Sequence, residues 1–133
     1  MSVTYSIQGA DFSTRQEGDV KSAAQLIGIY EATDWSMEQD LQTRLETAGE
    51  ENCPAGLSIV REPYVFMHLC PNKDDTVMVH AIHCAPSKFL GVFKSQKTTD
   101  LQVSSLSKSI AIQAISKFLA ADNHWLQANI KED

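Results

Sequence analysis

Histidine and cysteine side chains recur in two neighbouring apolar segments near the middle of the chain. His68 and Cys70 lie in the first segment, and His80, His83 and Cys84 lie in the second. These residue types could hold zinc, which commonly takes four such ligands at about 2.0–2.3 Å in structural sites. In an extended strand, however, His80 and Cys84 would lie roughly 13 Å apart, and His83 would point to the other face. The spacing therefore favours ordinary strand residues, and we predict no metal site.

The sequence also lacks a recognisable catalytic group. A nucleophilic cysteine needs an imidazolium or a helix N-terminus to stabilise its thiolate, and neither Cys70 nor Cys84 lies where a strand meets a helix. Asp74-Asp75 falls in a turn sequence, and turn propensity accounts for it. There is no Walker loop and no GxGxxG, GxSxG or HExxH motif. The sequence therefore favours a protein without catalytic residues and without a cofactor.

β-Forming residues fill the chain from Leu57 to Lys94, and short turn sequences divide them into strands. The clearest strands are Tyr64–Cys70 and Thr76–Cys84. Proline and Asx residues are the usual turn formers between antiparallel strands. They separate the runs at Glu62-Pro63, Pro71–Asp75 and Ala85–Ser87. This order predicts an antiparallel meander.

The central strands carry apolar residues at both alternate sets of positions. An antiparallel sheet with water on one side would alternate more cleanly, so we expect both faces to be covered, by helices or by another protein. The register of the hairpin decides whether the two strand histidines meet. A four-residue loop at Asn72–Asp75 would pair His68 with Val79 instead of His80.

The segments before the meander predict a strand and two helices. Val3–Phe12 alternates apolar and polar residues, as a half-buried strand does, and a helix follows Gly18-Asp19. Asp34 is expected to cap a second helix that ends at Gly49. The apolar stripe of that helix would be Met37, Leu41, Leu45 and Ala48, and its outer stripe Glu38, Gln42 and Glu46.

After the meander we expect a polar connection at Ser95–Asp100 and a short strand at Leu101–Val103. Ser105 or Ser107 would cap a C-terminal helix, and Asp122 would start a last short one. Strands segregated from helices indicate an α+β fold. We therefore predict one domain over residues 1–133. Its antiparallel sheet of four to six strands, an N-terminal strand plus the central meander, would pack with two N-terminal helices and a C-terminal helix.

Acidic residues are concentrated in one part of the chain. The net charge is −6, and the segment from Glu17 to Glu51 contains nine acids but only Lys21 and Arg44 as bases. Such a field repels nucleic acid and raises the encounter rate with basic partners. The charge distribution is explained by a solvated, solubilising helix face. The functional alternative is a surface for a basic protein partner, and not for a nucleic acid.

The expected location is the cytoplasm. No apolar run approaches the ~20 residues of a membrane helix, and the first residues lack the basic and then apolar pattern of a secretory signal. Three cysteines without a framework spacing fit reduced thiols. We therefore expect no membrane segment.

The C-terminal half, from Leu57 to Leu126, resembles the immunity proteins that bacteria carry against polymorphic deaminase-type toxins. In that family a helix and a meander of short strands precede an amphipathic helix and an apolar-polar tail. Here Thr99–Val103 and Ser105–Ser109 correspond to the segment before that helix. Ile112–Leu119 corresponds to the amphipathic helix, and Asp122–Leu126 to the tail. The resemblance implies a non-catalytic inhibitor that binds its cognate toxin and occludes the active site.

Three functional hypotheses follow. The first is stoichiometric binding of a basic toxin or enzyme through acids of the second helix and the residues after it, Glu38, Asp40, Glu46, Glu50 and Glu51. The alternative is a small-ligand-binding or enzymatic domain, whose pocket between sheet and helices would use Tyr64, His68 or His80. The third is a homodimer, in which a second copy covers the exposed face of the sheet.

Overall fold

The computed structural model describes residues 2–63, 65–89 and 93–131, and in segments 83–89 and 93–98 it describes the backbone only. The fold is α+β with an antiparallel sheet, as the sequence predicts. Its elements in chain order are β1 (Thr4–Gln8), β2 (Thr14–Asp19), α1 (Ala23–Ala32), α2 (Trp35–Thr47), β3 (Gly56–Glu62), β4 (Val65–Pro71), β5 (Thr76–Phe89), β6 (Phe93–Ser107), α3 (Lys108–Leu119) and α4 (Asn123–Asn129).

The six strands lie in the order β2-β1-β3-β4-β5-β6, and every neighbouring pair is antiparallel. β2 was not predicted, because all six of its residues are exposed and no apolar alternation marks them. It is an edge strand that pairs with β1 through contacts such as Thr4 with Asp19. Charged, polar residues on an edge strand discourage pairing with another chain.

The last strand also differs from its prediction. Ser95–Asp100 was expected to be a polar connection, but it belongs to β6, which pairs with β5 from Phe93 to Ser107. β4 pairs with β5 only as far as His83. Beyond that point β5 and β6 pair with each other, so they extend from the sheet as a two-stranded ribbon.

The core lies between one face of the sheet and the helices. Ile7, Leu57, Leu69, Val79 and Val103 are neighbours in register across five strands, and each is at most 1% exposed. The helices complete the same cluster with Leu26, Tyr30, Ala111, Ala114, Ile115, Phe118 and Leu126. Burying such side chains contributes roughly 1.5–3 kcal/mol each. The helices therefore cover this inner face.

Short polar side chains fix the helix ends at the predicted positions. Asp34, Ser107 and Asp122 each accept a backbone N–H from the third residue of the helix that follows. Gly49, with φ of 72°, ends α2, and the N–H of Glu50 donates to the carbonyl of Leu45. This is the Schellman arrangement, in which glycine takes a left-handed conformation without a Cβ clash.

The predicted faces of α2 are wrong in its first turn, whereas Leu41 and Leu45 are half-buried and Glu46 is exposed, as predicted. Met37, expected in the apolar stripe, is 57% exposed, whereas Glu38, expected on the acidic outside, is 3% exposed. Polar contacts attach α2 to the end of the sheet, among them Gln39 Nε2 donating to the Pro71 carbonyl and Lys73 Nζ donating to Thr43 Oγ1. Because these contacts replace apolar packing, periodicity did not reveal which side is buried.

Candidate functional site: the outer face of the sheet

The outer face is the side of the sheet opposite to the core. Its centre consists of two neighbouring rows of side chains that cross all six strands in register. The apolar row is Asp19, Thr4, Val60, Phe66, Ile82 and Asp100, and the histidine row is Glu17, Ser6, Ser58, His68, His80 and Gln102. Val60 is 39% exposed, and Met78 beside these rows is 36% exposed. The sequence predicted that both faces would be covered, but the helices pack on the inner face.

His68 and His80 face each other directly across β4 and β5. The hairpin loop has three residues, because the N–H of Asn72 donates to the carbonyl of Thr76 at 2.8 Å. Asp75 adopts a left-handed φ of 69°, as three-residue hairpin loops with a bulge require. The hairpin therefore does not have the four-residue loop that would have paired His68 with Val79.

The two imidazoles form a cluster with one phenyl ring. The ring centroids of His68 and His80 are 6.3 Å apart, and the Phe66 ring lies 4.9 Å from His68 and 6.0 Å from His80. Ser58 Oγ and His68 Nδ1 are 2.6 Å apart, and His80 Nε2 lies 3.0 Å from Asp100 Oδ1. Burial, and secondarily the neighbouring His80, lower the pKa of His68.

This arrangement does not reproduce a nucleophilic triad. A triad needs one imidazole that contacts both the hydroxyl and the carboxylate. Here Ser58 contacts His68, whereas Asp100 contacts His80. Burial, and next the Cys53 thiol, raise the pKa of the nearby Cys70 to about 11, so that thiol is protonated at neutral pH. Neither group is therefore an activated nucleophile.

Metal binding was tested on the residues that the structure describes. Within that part of the chain, no group of three or more His, Cys, Asp or Glu side chains could hold a metal ion. His80 pairs with Gln102 across the sheet and has Asp100 as its carboxylate neighbour. The side chains of His83 and Cys84, which the sequence analysis also considered, lie outside the described residues.

In the two described rows of the outer face, the residues with a permanent charge are all acids. Glu17 and Asp19 lie at the β2 edge, opposite Ser6 and Thr4, and Asp100 lies at the β6 edge, opposite Ile82. The two described rows contain no lysine or arginine. The sequence analysis did not select these three acids, because their position on the outer face depends on the pairing of β2 with β1 and of β6 with β5.

The predicted partner-binding acids differ in their exposure to solvent. Glu38 Oε2 accepts the N–H of Ala10 at 2.8 Å, and Glu38 Oε1 accepts Arg15 Nε at 2.8 Å. This buried carboxylate holds the β1–β2 turn to α2 and is not available to a partner. The other four residues of the set are exposed, namely Asp40, Glu46, Glu50 and Glu51.

Two of the residues predicted for the alternative pocket lie on the outer face of the sheet, and not on the side of the helices. His68 and His80 point away from the helices, so they cannot line a pocket between sheet and helices. Tyr64, the third residue of that hypothesis, lies outside the described residues. The described cavities between sheet and helices differ in character. One is small and mainly apolar, with Ala81, Leu101, Phe118 and Leu126 in its wall, and a larger one at the end of the sheet has Tyr30, Gln39, Thr76 and Lys108 in its wall.

Comparisons of the chain with protein-family models, curated proteins and solved structures found no match. Among the described helices, none combines the length and the apolar character that crossing a membrane requires. The function is therefore inferred from contacts, burial and charge.

Proposed function

We propose that this protein is a non-catalytic inhibitor that binds a basic protein, such as a toxin or an enzyme, in a stoichiometric complex. The observation that carries the proposal is the composition of the outer face. Val60, Phe66 and Ile82 form its apolar centre, and carboxylates end the same row at both edges. A surface of this kind complements a partner with an apolar patch between basic groups.

The apolar centre would supply most of the affinity. Interfaces gain most of their binding energy from a few desolvated anchors, and aromatic residues are frequent among them. Phe66 occupies the middle of the face, with Val60 and Ile82 on either side in register. Val60 and Met78, at 39% and 36% exposure, keep apolar surface that a partner would remove from water.

The size of the face indicates that a second surface contributes. Six strands are separated by five spacings of ~4.8 Å, and about five residues along each strand rise ~3.3 Å apiece. The projected area of the face is therefore roughly 400 Å². A stable interface of standard size buries about 800 Å² on each partner. The exposed acids of α2 and the following loop, Asp40, Glu46, Glu50 and Glu51, are suited to steer the same basic partner.

The proposed location is the cytoplasm, where such a toxin or enzyme would have to be neutralised. Cys53 and Cys70 are free thiols, as expected in a reducing compartment. The resemblance to toxin immunity proteins supports the same function. Under this proposal the protein acts by occluding its partner, and it performs no bond-making step.

The test compares two matched triple charge reversals. The first is Glu17→Lys/Asp19→Lys/Asp100→Lys on the outer face, and the second is Asp40→Lys/Glu46→Lys/Glu50→Lys on α2 and its loop. The immobilised wild-type chain would be used to capture proteins from the source organism. For each captured and purified protein, calorimetric titration would give affinity and stoichiometry, and surface plasmon resonance at several salt concentrations would give the association rate.

We expect a basic protein that binds in a 1:1 complex and whose own activity is lost in that complex. The outer-face variant should weaken binding at least tenfold, whereas the α2 variant should mainly slow association and reduce its salt dependence. The proposal fails if no basic protein is retained, or if the outer-face variant binds it as wild type does. A mass that doubles with concentration in light scattering, and that the outer-face variant keeps at the monomer value, would instead place a second copy on this face.

A further inference from the structure

We propose that the His68–His80 pair makes the outer face sensitive to pH, so that acidification releases a basic partner. This inference rests on the proposed function, because it concerns the same surface and the same class of partner. It adds a regulatory property that neither the apolar residues nor the carboxylates could supply near neutral pH.

The position of the pair carries the argument. His68 and His80 lie on the neighbouring strands β4 and β5, in the row next to Phe66, and each imidazole contacts that ring. A partner that buries Phe66 must therefore come close to both imidazoles. Histidine is the side chain whose ordinary pKa, ~6.5, allows a charge change between pH 5 and 8.

One described group in contact with the pair carries an opposite charge, so it offsets part of the added charge but leaves the change itself. Ser58 on β3 and Gln102 on β6 are neutral, and Asp100 on β6 is the carboxylate in contact with His80. Glu17 and Asp19 lie on the far edge strand, about four strand spacings of ~4.8 Å from β5. Cys70, on the same strand as His68, remains a neutral thiol because burial raises its pKa.

The sign of the effect follows from this inventory. In the two described rows, the permanently charged groups are the three carboxylates of Glu17, Asp19 and Asp100. Each proton that the pair takes up on acidification adds a positive charge beside Phe66, and that charge opposes a basic partner. Burial lowers the pKa of His68, so full protonation of the pair requires a pH below the ordinary histidine range.

The experiment measures the local potential and needs no partner. Paramagnetic relaxation of the outer-face backbone amides would be recorded with a cationic and with an anionic nitroxide probe at pH 8 and pH 5. One added charge at about 7 Å in water changes the local concentration of a monovalent ion by roughly twofold to threefold, before salt screening. We therefore expect the cation-to-anion relaxation ratio at these amides to fall by at least about twofold on acidification.

Two variants make the result specific. His68→Gln/His80→Gln should abolish most of the change, whereas His124→Gln, which removes an exposed histidine on α4, should leave it intact. Circular dichroism would verify that both variants are folded. The inference is overturned if the ratio is constant between pH 8 and pH 5, or if the double variant shows the wild-type change. Loss of the proposed function would appear separately, as failure to retain a basic protein at pH 8.

Discussion

The carboxylate of Glu38 on α2 lies 2.8 Å from Arg15 Nε on β2, and the same side chain accepts the backbone N–H of Ala10 at 2.8 Å. Glu38 is buried, whereas the Arg15 side chain is 36% exposed. One acid therefore attaches the outermost strand and the β1–β2 turn to a helix that has little apolar packing of its own. Arg15 also crosses Gly9, where an added Cβ would lie 2.5 Å from its guanidinium.

Glu38→Ala should destabilise the fold, because the Ala10 N–H would lose its buried acceptor and Arg15 its partner. We expect a loss of about 2 kcal/mol in the free energy of unfolding, less than for a fully buried pair because water screens Arg15. Urea denaturation would measure it. Glu46→Ala, an exposed acid on the same helix, is the control and should change stability by less than about 0.5 kcal/mol. Equal stability of both variants would refute a structural role for Glu38.

Replacing Ala121 with glycine should stabilise the fold. This residue follows α3 with a φ of 58°, a left-handed conformation that costs an L-residue roughly 1–2 kcal/mol. Ala121→Gly should therefore raise the melting temperature, with a gain of about 1 kcal/mol. Ala120→Gly is the control, because Ala120 has a φ of −81° and gains no relief. A lower melting temperature for Ala121→Gly would argue against the left-handed helix end.

Two glycines differ sharply in the space around them. A Cβ at Gly56 would lie 2.6 Å from both the Leu69 carbonyl oxygen and Cys70 Sγ, whereas a Cβ at Gly28 in α1 would meet nothing within 4 Å. Gly56→Ala should cost about 2 kcal/mol through overpacking. Gly28→Ala should stabilise by up to about 1 kcal/mol, because alanine favours the helix. Chemical denaturation of both variants checks this, and a tolerated Gly56→Ala would contradict the close pairing of β3 with β4.

His68 should make stability depend on pH. Its pKa is lowered in the folded state by burial and by His80, so below pH ~6.5 the unfolded chain binds the additional proton. The free energy of unfolding therefore falls as the pH drops from the unfolded pKa to the folded one. The total fall is about 1.4 kcal/mol for each tenfold difference in the proton affinity of His68 between the folded and the unfolded chain.

Urea denaturation at several pH values between 8 and 5 would measure this dependence. His68→Gln should flatten the curve in this interval, since it removes the titrating group. His124→Gln should leave the curve as in wild type, because His124 is exposed on α4. A wild-type slope that persists in His68→Gln would assign the effect to another group.

Local sequence signals predicted the helix starts and the strands of the meander, because both have strong preferences for particular residue types. Asp34 and Asp122 cap helices as expected, and of the two serines considered for α3 it is Ser107 that caps it, because a short oxygen side chain satisfies free backbone N–H groups wherever a helix starts. The strands of the meander were likewise evident, because they are rich in β-branched and aromatic residues. The fold class followed from these two signals.

The candidate site could not be predicted in the same way, because it depends on pairing between distant segments. β2 is polar at every position, so no pattern placed Glu17 and Asp19 on the outer face. The meeting of His68 and His80 depends on the left-handed conformation of Asp75, an aspartate where glycine is more usual. Burial of Glu38 depends on Arg15, 23 residues earlier in the chain.

The one-sided core is the premise of the proposed function, and two adjacent residues of β3 test it. Ile59 is fully buried on the inner face, whereas its neighbour Val60 is 39% exposed on the outer face. Ile59→Ala should cost about 2–5 kcal/mol, because it leaves a cavity in the core. Val60→Ala should cost less than about 1 kcal/mol, because water already reaches the side chain, while it removes part of the anchor surface offered to a partner. Denaturation of the two variants gives the comparison. Similar losses at both positions would mean that Val60 is covered in solution, and the outer face would then not be open to a separate protein.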